Sequence, residues 1–70
     1  MTDIRLHTFL AVWREKSFTR AAETLHITQP AVTQHIHYLE EDLGQKLFAI
    51  RGRAIGLTAA GEVLLRFAEN

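Results

Sequence analysis

Between Ser17 and Gly44 the apolar residues form two short helical stripes with almost no chain between them. In the first, Phe18, Ala21, Ala22 and Leu25 recur at the three- and four-residue spacing that lines one helix face. In the second, Val32, Ile36, Leu39 and Leu43 do the same. Only His26 and Ile27 stand between the first stripe and Thr28, which opens the second. Two helices joined this tightly must cross and pack on each other directly, and the paired alanines permit the close approach. Punctuation residues sit where the helices need them. Ser17 and Thr28 can cap the free N–H groups of a first turn. Pro30 falls where its missing N–H costs little. His26 tolerates the left-handed region better than a β-branched residue would, and Gly44 is a good C-terminal stop. The spacing predicts a helix-turn-helix.

The flanking segments complete an architecture. A first helix is expected from about Asp3 to Glu15, burying Leu6, Phe9, Leu10 and Trp13. Two four-residue apolar runs, Leu47 to Ile50 and Ala54 to Leu57, flank Arg51-Gly52-Arg53 and read as a β-hairpin. Thr58 would cap a fourth helix whose apolar face carries Val63, Leu64, Phe67 and Ala68. No Gly or Pro stops that helix before Asn70, so a helix that continues beyond the chain is expected. The fold class is mainly α: a helix-turn-helix within a three-helix core, followed by a β-hairpin and a further C-terminal helix.

Composition excludes several classes. With 70 residues, 47% of them hydrophobic, one small packed domain is expected. The absence of cysteine rules out a disulfide framework and thiolate metal sites, and favours an intracellular setting. No apolar run reaches the ~20 residues of a membrane span and no signal-peptide pattern opens the chain, so a cytoplasmic protein with no membrane partner is expected. Charge is less obliging. Eight Lys and Arg balance eight Asp and Glu, whereas a nucleic-acid-binding domain is ordinarily basic. The charges are segregated, however. Glu40, Glu41 and Asp42 cluster at the far end of the second motif helix, where a solvated helix end is expected, and Arg51 and Arg53 sit at the hairpin.

Functional candidates follow from which side chains the core does not need. At ~100° per residue, Pro30, Ala31, Thr33, Gln34, His37 and Tyr38 lie on or near the outward face of the third helix, with Thr28 and Gln29 at its N-terminal tip. Gln can hydrogen-bond adenine through two atoms, and Thr can bond a base or pack its methyl against thymine. On an isolated helix an ordinary solvated face is the better account; after a short capped helix and a tight turn, double-stranded DNA is. Arg51 and Arg53 can reach phosphates or a minor groove, against the plainer account of a solubilising turn. Arg20, in the first turn of the second helix, can meet a phosphate or serve as a surface charge. No catalytic set and no phosphate loop is present, so no enzyme is expected. His35 and His37 diverge around their helix, and His7 and His26 stand alone, so no metal site is expected. On the fourth helix, Val63, Leu64, Phe67 and Ala68 must partly cover the core and partly pair with a second copy. The resulting homodimer suits a pseudo-palindromic operator with half-sites ~34 Å apart. A winged helix used for protein–protein contacts is the alternative that the neutral charge favours.

The segments SFTRAAETLHITQPAVTQHIHYLEEDLGQKLF and RGRAIGLTAAGEVLL closely resemble the N-terminal DNA-binding domain of LysR-type bacterial transcriptional regulators. The resemblance rests on Ser17-Phe18, Ala21-Ala22, Thr28-Gln29-Pro30-Ala31, Leu39-Glu40, Leu43-Gly44, Leu47-Phe48 and Leu57-Thr58 with Gly61. It implies a winged helix-turn-helix with the hairpin as wing, residues 1–57 as the DNA-binding unit and 58–70 as the start of a linker helix that dimerises, with a tetramer in the full-length protein and no cofactor in this domain. It also implies a C-terminal domain, absent from this chain, that takes a small-molecule inducer. By the same resemblance Gln29, Pro30, Thr33 and Gln34 approach bases or backbone, and Arg53 contacts DNA from the wing. The chain departs from the family pattern at Gln34, His37, Ile50 and Gly56, where many members carry basic residues, and at Trp13, where a small residue is usual. Fewer cations imply weaker binding by the isolated domain, with multivalency in a full-length protein supplying affinity. Molybdate-responsive winged-helix regulators have a similar wing-to-helix segment and are a second family alternative.

Overall fold

Three of the four helices begin at a hydroxyl side chain. The computed structural model describes residues 4–69 and places α1 at Ile4–Glu15, α2 at Phe18–Leu25, α3 at Gln29–Leu43, β1 at Phe48–Arg51, β2 at Ala54–Leu57 and α4 at Ala59–Glu69. Asp3, the expected start of the first helix, lies outside the described residues. Ser17 Oγ accepts the Arg20 N–H at 3.1 Å, Thr28 Oγ1 the Ala31 N–H at 3.2 Å, and Thr58 Oγ1 the Gly61 N–H at 3.0 Å. The exits are equally local. His26 and Gly44 take left-handed φ values of 59° and 66°, and each turn folds back to satisfy the last carbonyls, Ile27 N–H on Ala22 O and Gln45 N–H on Glu40 O.

The first three helices pack pairwise around Phe9, Val12, Ala21, Val32, Ile36 and Leu39, all buried. In α1 the buried residues are Leu6, Thr8, Phe9, Ala11 and Val12, while the expected Leu10 and Trp13 are only partly covered. The reason is that α1 is clasped by both α2 and α3, so its inner arc is wider than one stripe and turned toward Val12. Leu43 also differs from expectation. It is 42% exposed, because the end of α3 runs past the three-helix core and borders an apolar groove against α4.

The wing is a two-stranded antiparallel ribbon with Phe48 opposite Leu57 and Arg51 opposite Ala54. Gly52 opens its two-residue turn at a φ of 59°, where a Cβ would be strained. Leu47, expected in the first strand, precedes it as a fully buried peg. Phe48 fixes the ribbon to the body, its ring centroid 5.3 Å from that of Phe9 and 5.9 Å from that of Phe18. At the ribbon's base the Thr58 hydroxyl donates to Lys46 O at 2.6 Å, and the Thr58 N–H donates to Leu47 O at 3.0 Å. There α4 passes so close that a Cβ on Gly61 would run into the Leu47 carbonyl oxygen.

Candidate nucleic-acid interface

The outward face of α3 is open, as the sequence predicts. Gln29, Pro30, Gln34, His37 and Tyr38 are exposed, and Thr33 is half-buried on the side facing the wing, where it shares a cleft with Phe18, His37 and Ile50. Thr28 is exposed too, but its hydroxyl is occupied as the N-cap. Such polar side chains contribute nothing to the core, and together they form a convex ridge about three turns long.

Helix ends supply the backbone donors. On α3 the cap takes the Ala31 N–H and Pro30 has none, which leaves the Gln29 N–H at this end. The start of α2 is better provided. Ser17 takes only the Arg20 N–H, so the first-turn N–H groups of Phe18 and Thr19 remain, next to the exposed Arg20 side chain. Anion-binding capacity is therefore greater at the start of α2 than at the start of α3, a point that residue type alone did not reveal.

Glu41 and Asp42 are exposed, as expected of a solvated helix end, and Glu40 departs from that expectation. Glu40 is largely covered, its side chain 13% exposed; Oε2 accepts the Leu47 N–H at 3.0 Å, and Oε1 lies 3.8 Å from Lys46 Nζ. Asp42 pairs with Arg5 at 3.4 Å. Both acids thus act as ties, one from α3 to the wing base and the other to α1. Arg20, Arg51 and Arg53 are exposed and make no ion pair among the described residues. The two ion pairs cancel, and the net charge of zero balances the exposed arginines of α2 and the wing against other acidic residues of the chain.

Two histidines that lie close in sequence are separated by the fold. His37 is exposed on the ridge. His35 turns inward, where Thr8 Oγ1 lies 2.8 Å from its Nδ1 while the same hydroxyl donates to Ile4 O at 2.9 Å. With its one proton committed to Ile4, the hydroxyl accepts from His35, so the imidazole carries its proton on Nδ1. This clasp joins α1 to α3 across 27 positions of sequence, and nothing in the local pattern marks it. Among the described residues no cluster of His, Cys, Asp and Glu could hold a metal ion, and no helix is long and apolar enough to cross a membrane.

The apolar face of α4 divides in two. Val63 and Phe67 are 58% and 60% exposed, and with Leu43 they rim an apolar groove. Leu64 is buried at 7% and Ala68 packs against the same core. Leu64 therefore serves the subunit's own interior, and Val63 and Phe67 are the members of the expected dimer face that stand free of it.

Comparison with known proteins places this geometry. The chain is 52% identical over 63 residues to the HTH-type transcriptional regulator PcaQ of Agrobacterium fabrum, an alignment covering 90% of this chain and 20% of that protein. It therefore spans about a fifth of the length of the curated relatives it matches. A crystal structure of a LysR-family transcriptional regulator from Eggerthella lenta superposes with a TM-score of 0.92 at 51% identity, covering 100% of both chains. The crystal structure of a CbnR_DBD–DNA complex superposes with a TM-score of 0.89 at 39% identity, covering 99% of this chain and 79% of the other. The family model for bacterial regulatory helix-turn-helix proteins of the lysR family matches residues 4–62, which supports the LysR-type reading over the molybdate-responsive alternative. With its capped tri-helical body, hairpin wing and open ridge on α3, the chain belongs to the lysR family of bacterial regulatory helix-turn-helix proteins.

Proposed function

We propose that this chain binds double-stranded DNA sequence-specifically, as the N-terminal domain of a LysR-type transcriptional regulator. In this reading α3 enters the major groove, and the wing lies on the backbone or in the minor groove. The observation that carries it is the ridge of exposed polar side chains at Gln29, Gln34, His37 and Tyr38, flanked by the half-buried Thr33, which the core does not use. The solved complex of a similarly folded domain with DNA supports the placement. Gln29, Pro30, Thr33 and Gln34 approach bases or backbone. Arg20 with the N-terminus of α2, and Arg51 and Arg53 on the wing, hold phosphates and set register without reading sequence. The chemistry is binding alone.

Residues 1–57 are the DNA-binding unit in this proposal, and 58–70 begin the linker helix. Val63 and Phe67 pair with a second copy, giving a homodimer on a pseudo-palindromic operator and a tetramer in the full-length protein. The full-length protein is cytoplasmic, and its inducer binds outside the segment described here. Selection of bound sequences from random duplex DNA, followed by mobility-shift titration, tests the reading. A dimer making four to eight phosphate contacts gives a slope of log K against log salt of roughly −4 to −7. No shift with any duplex and no retention on heparin would overturn it in favour of a protein-binding winged helix.

A further inference from the structure

The middle of the ridge carries a side-chain contact that the core does not require. Gln34 Nε2 donates a hydrogen bond to Tyr38 Oη at 3.0 Å. The two residues are one turn apart, and Tyr38 sits about 40° further round the helix, on the flank facing α1. There the Arg5 guanidinium lies 6.0 Å from the centroid of the Tyr38 ring while also pairing with Asp42 at 3.4 Å. The tyrosine therefore lies against Arg5 of α1, itself tied to Asp42, and it bonds the glutamine in turn.

This arrangement has consequences for Gln34. A free glutamine side chain presents its amide in either orientation, and offers two donors and a carbonyl acceptor in any rotamer. With one N–H engaged by Tyr38, the Gln34 amide nitrogen faces α1. One N–H and the carbonyl oxygen remain for a ligand. One donor beside one acceptor is the complement of the adenine edge in the major groove, where N7 accepts and the N6 amino group donates. Guanine offers two acceptors there, a pattern this amide cannot match with both of its atoms.

We propose that Tyr38 is a positioning residue that fixes the Gln34 amide for adenine, so that base preference at one step of each half-site depends on the Tyr38 hydroxyl. The inference rests on the DNA-binding reading above, and assigns Tyr38 an action through Gln34 instead of a contact of its own. The tyrosine ring stays in place in a Tyr38→Phe variant, which keeps the Arg5 contact and removes only the hydroxyl.

The experiment is a double-mutant cycle. The wild-type chain, Tyr38→Phe, Gln34→Ala and the double variant are each passed through selection from random duplexes, followed by titration against matched and singly substituted sites. Circular dichroism confirms that each is folded. Wild type is expected to select adenine at one position per half-site. Gln34→Ala should abolish that preference, a loss of about 5- to 150-fold in discrimination. Tyr38→Phe should lower discrimination at the same position by about 2- to 10-fold, the worth of one neutral hydrogen bond, with non-specific affinity unchanged within about twofold. The double variant should match Gln34→Ala alone. Uniform weakening by Tyr38→Phe across all sequences, an effect at a different base pair, or no change in discrimination would each overturn the inference while leaving DNA binding intact. A wild-type chain that binds no duplex would overturn both.

Discussion

The three-helix body and the wing are built on opposite principles. In the body, side chains from three helices meet in a shared interior, and Phe9, Val12, Val32 and Leu39 have no accessible surface. The wing is a ribbon four residues deep whose Ile50 is 60% exposed. A two-stranded ribbon has no interior of its own, so this one is held at its base by Phe48, Thr58 and Glu40. The body fixes an orientation, and the wing extends a reach. Recognition that depends on orientation belongs on α3; contacts that tolerate movement, such as the phosphate contacts proposed for Arg51 and Arg53, belong on the hairpin.

The largest effect that could break this contrast is Leu39→Ala. Emptying a fully buried site in the body should cost about 2–5 kcal/mol, against a total stability of about 4–10 kcal/mol for a chain of this size. Ile50→Ala in the wing should cost under about 0.5 kcal/mol. Urea titration followed by circular dichroism compares the two, and equal losses would erase the distinction. Next comes Gly61→Ala, which drives a Cβ against the Leu47 carbonyl. Backbone can yield there only by parting α4 from the wing base, at a cost of about 1–3 kcal/mol. Amide exchange should accelerate at Thr58 and Leu47 before it does in α1.

Glu40→Ala sharpens the picture. It leaves the Leu47 N–H without its acceptor, a loss of about 1–2 kcal/mol. Because the tie runs from α3 to the wing, its removal should loosen the hairpin and leave the helical body intact; a collapse of both would make them one cooperative unit. The smallest stability effect is expected at Arg53→Ala, within about 0.5 kcal/mol, together with a shallower salt slope by about 1 per subunit. An unchanged slope would take Arg53 off the phosphate backbone.

What was legible in the sequence is what nearest neighbours decide. Ser17, Thr28 and Thr58 cap, and His26 and Gly44 turn, through bonds that span a few residues. Residue type and position therefore suffice to predict them. The open ridge on α3 was readable for the same reason, since a helical period leaves only one side for Gln34 and His37. Rotation of α1 was not readable, because α2 and α3 together decide which of its side chains are covered. Glu40 reads as part of a solvated helix end, and the sequence assigns no role to His35, because their partners, Leu47 and Thr8, are brought to them by the fold. The Gln34–Tyr38 bond lay within reach of the i, i+4 rule, but nothing in the spacing says that both side chains turn toward each other.

Thr58 bonds in three directions: its hydroxyl to Lys46 and Gly61, its own N–H to Leu47. That residue is the pivot on which α4 leaves the rest of the molecule, and the same atoms brace the wing. Yet α4 meets α1 as well as β2 and buries Leu64 in the body, so a change in its lean reaches the wing base and the helical core together.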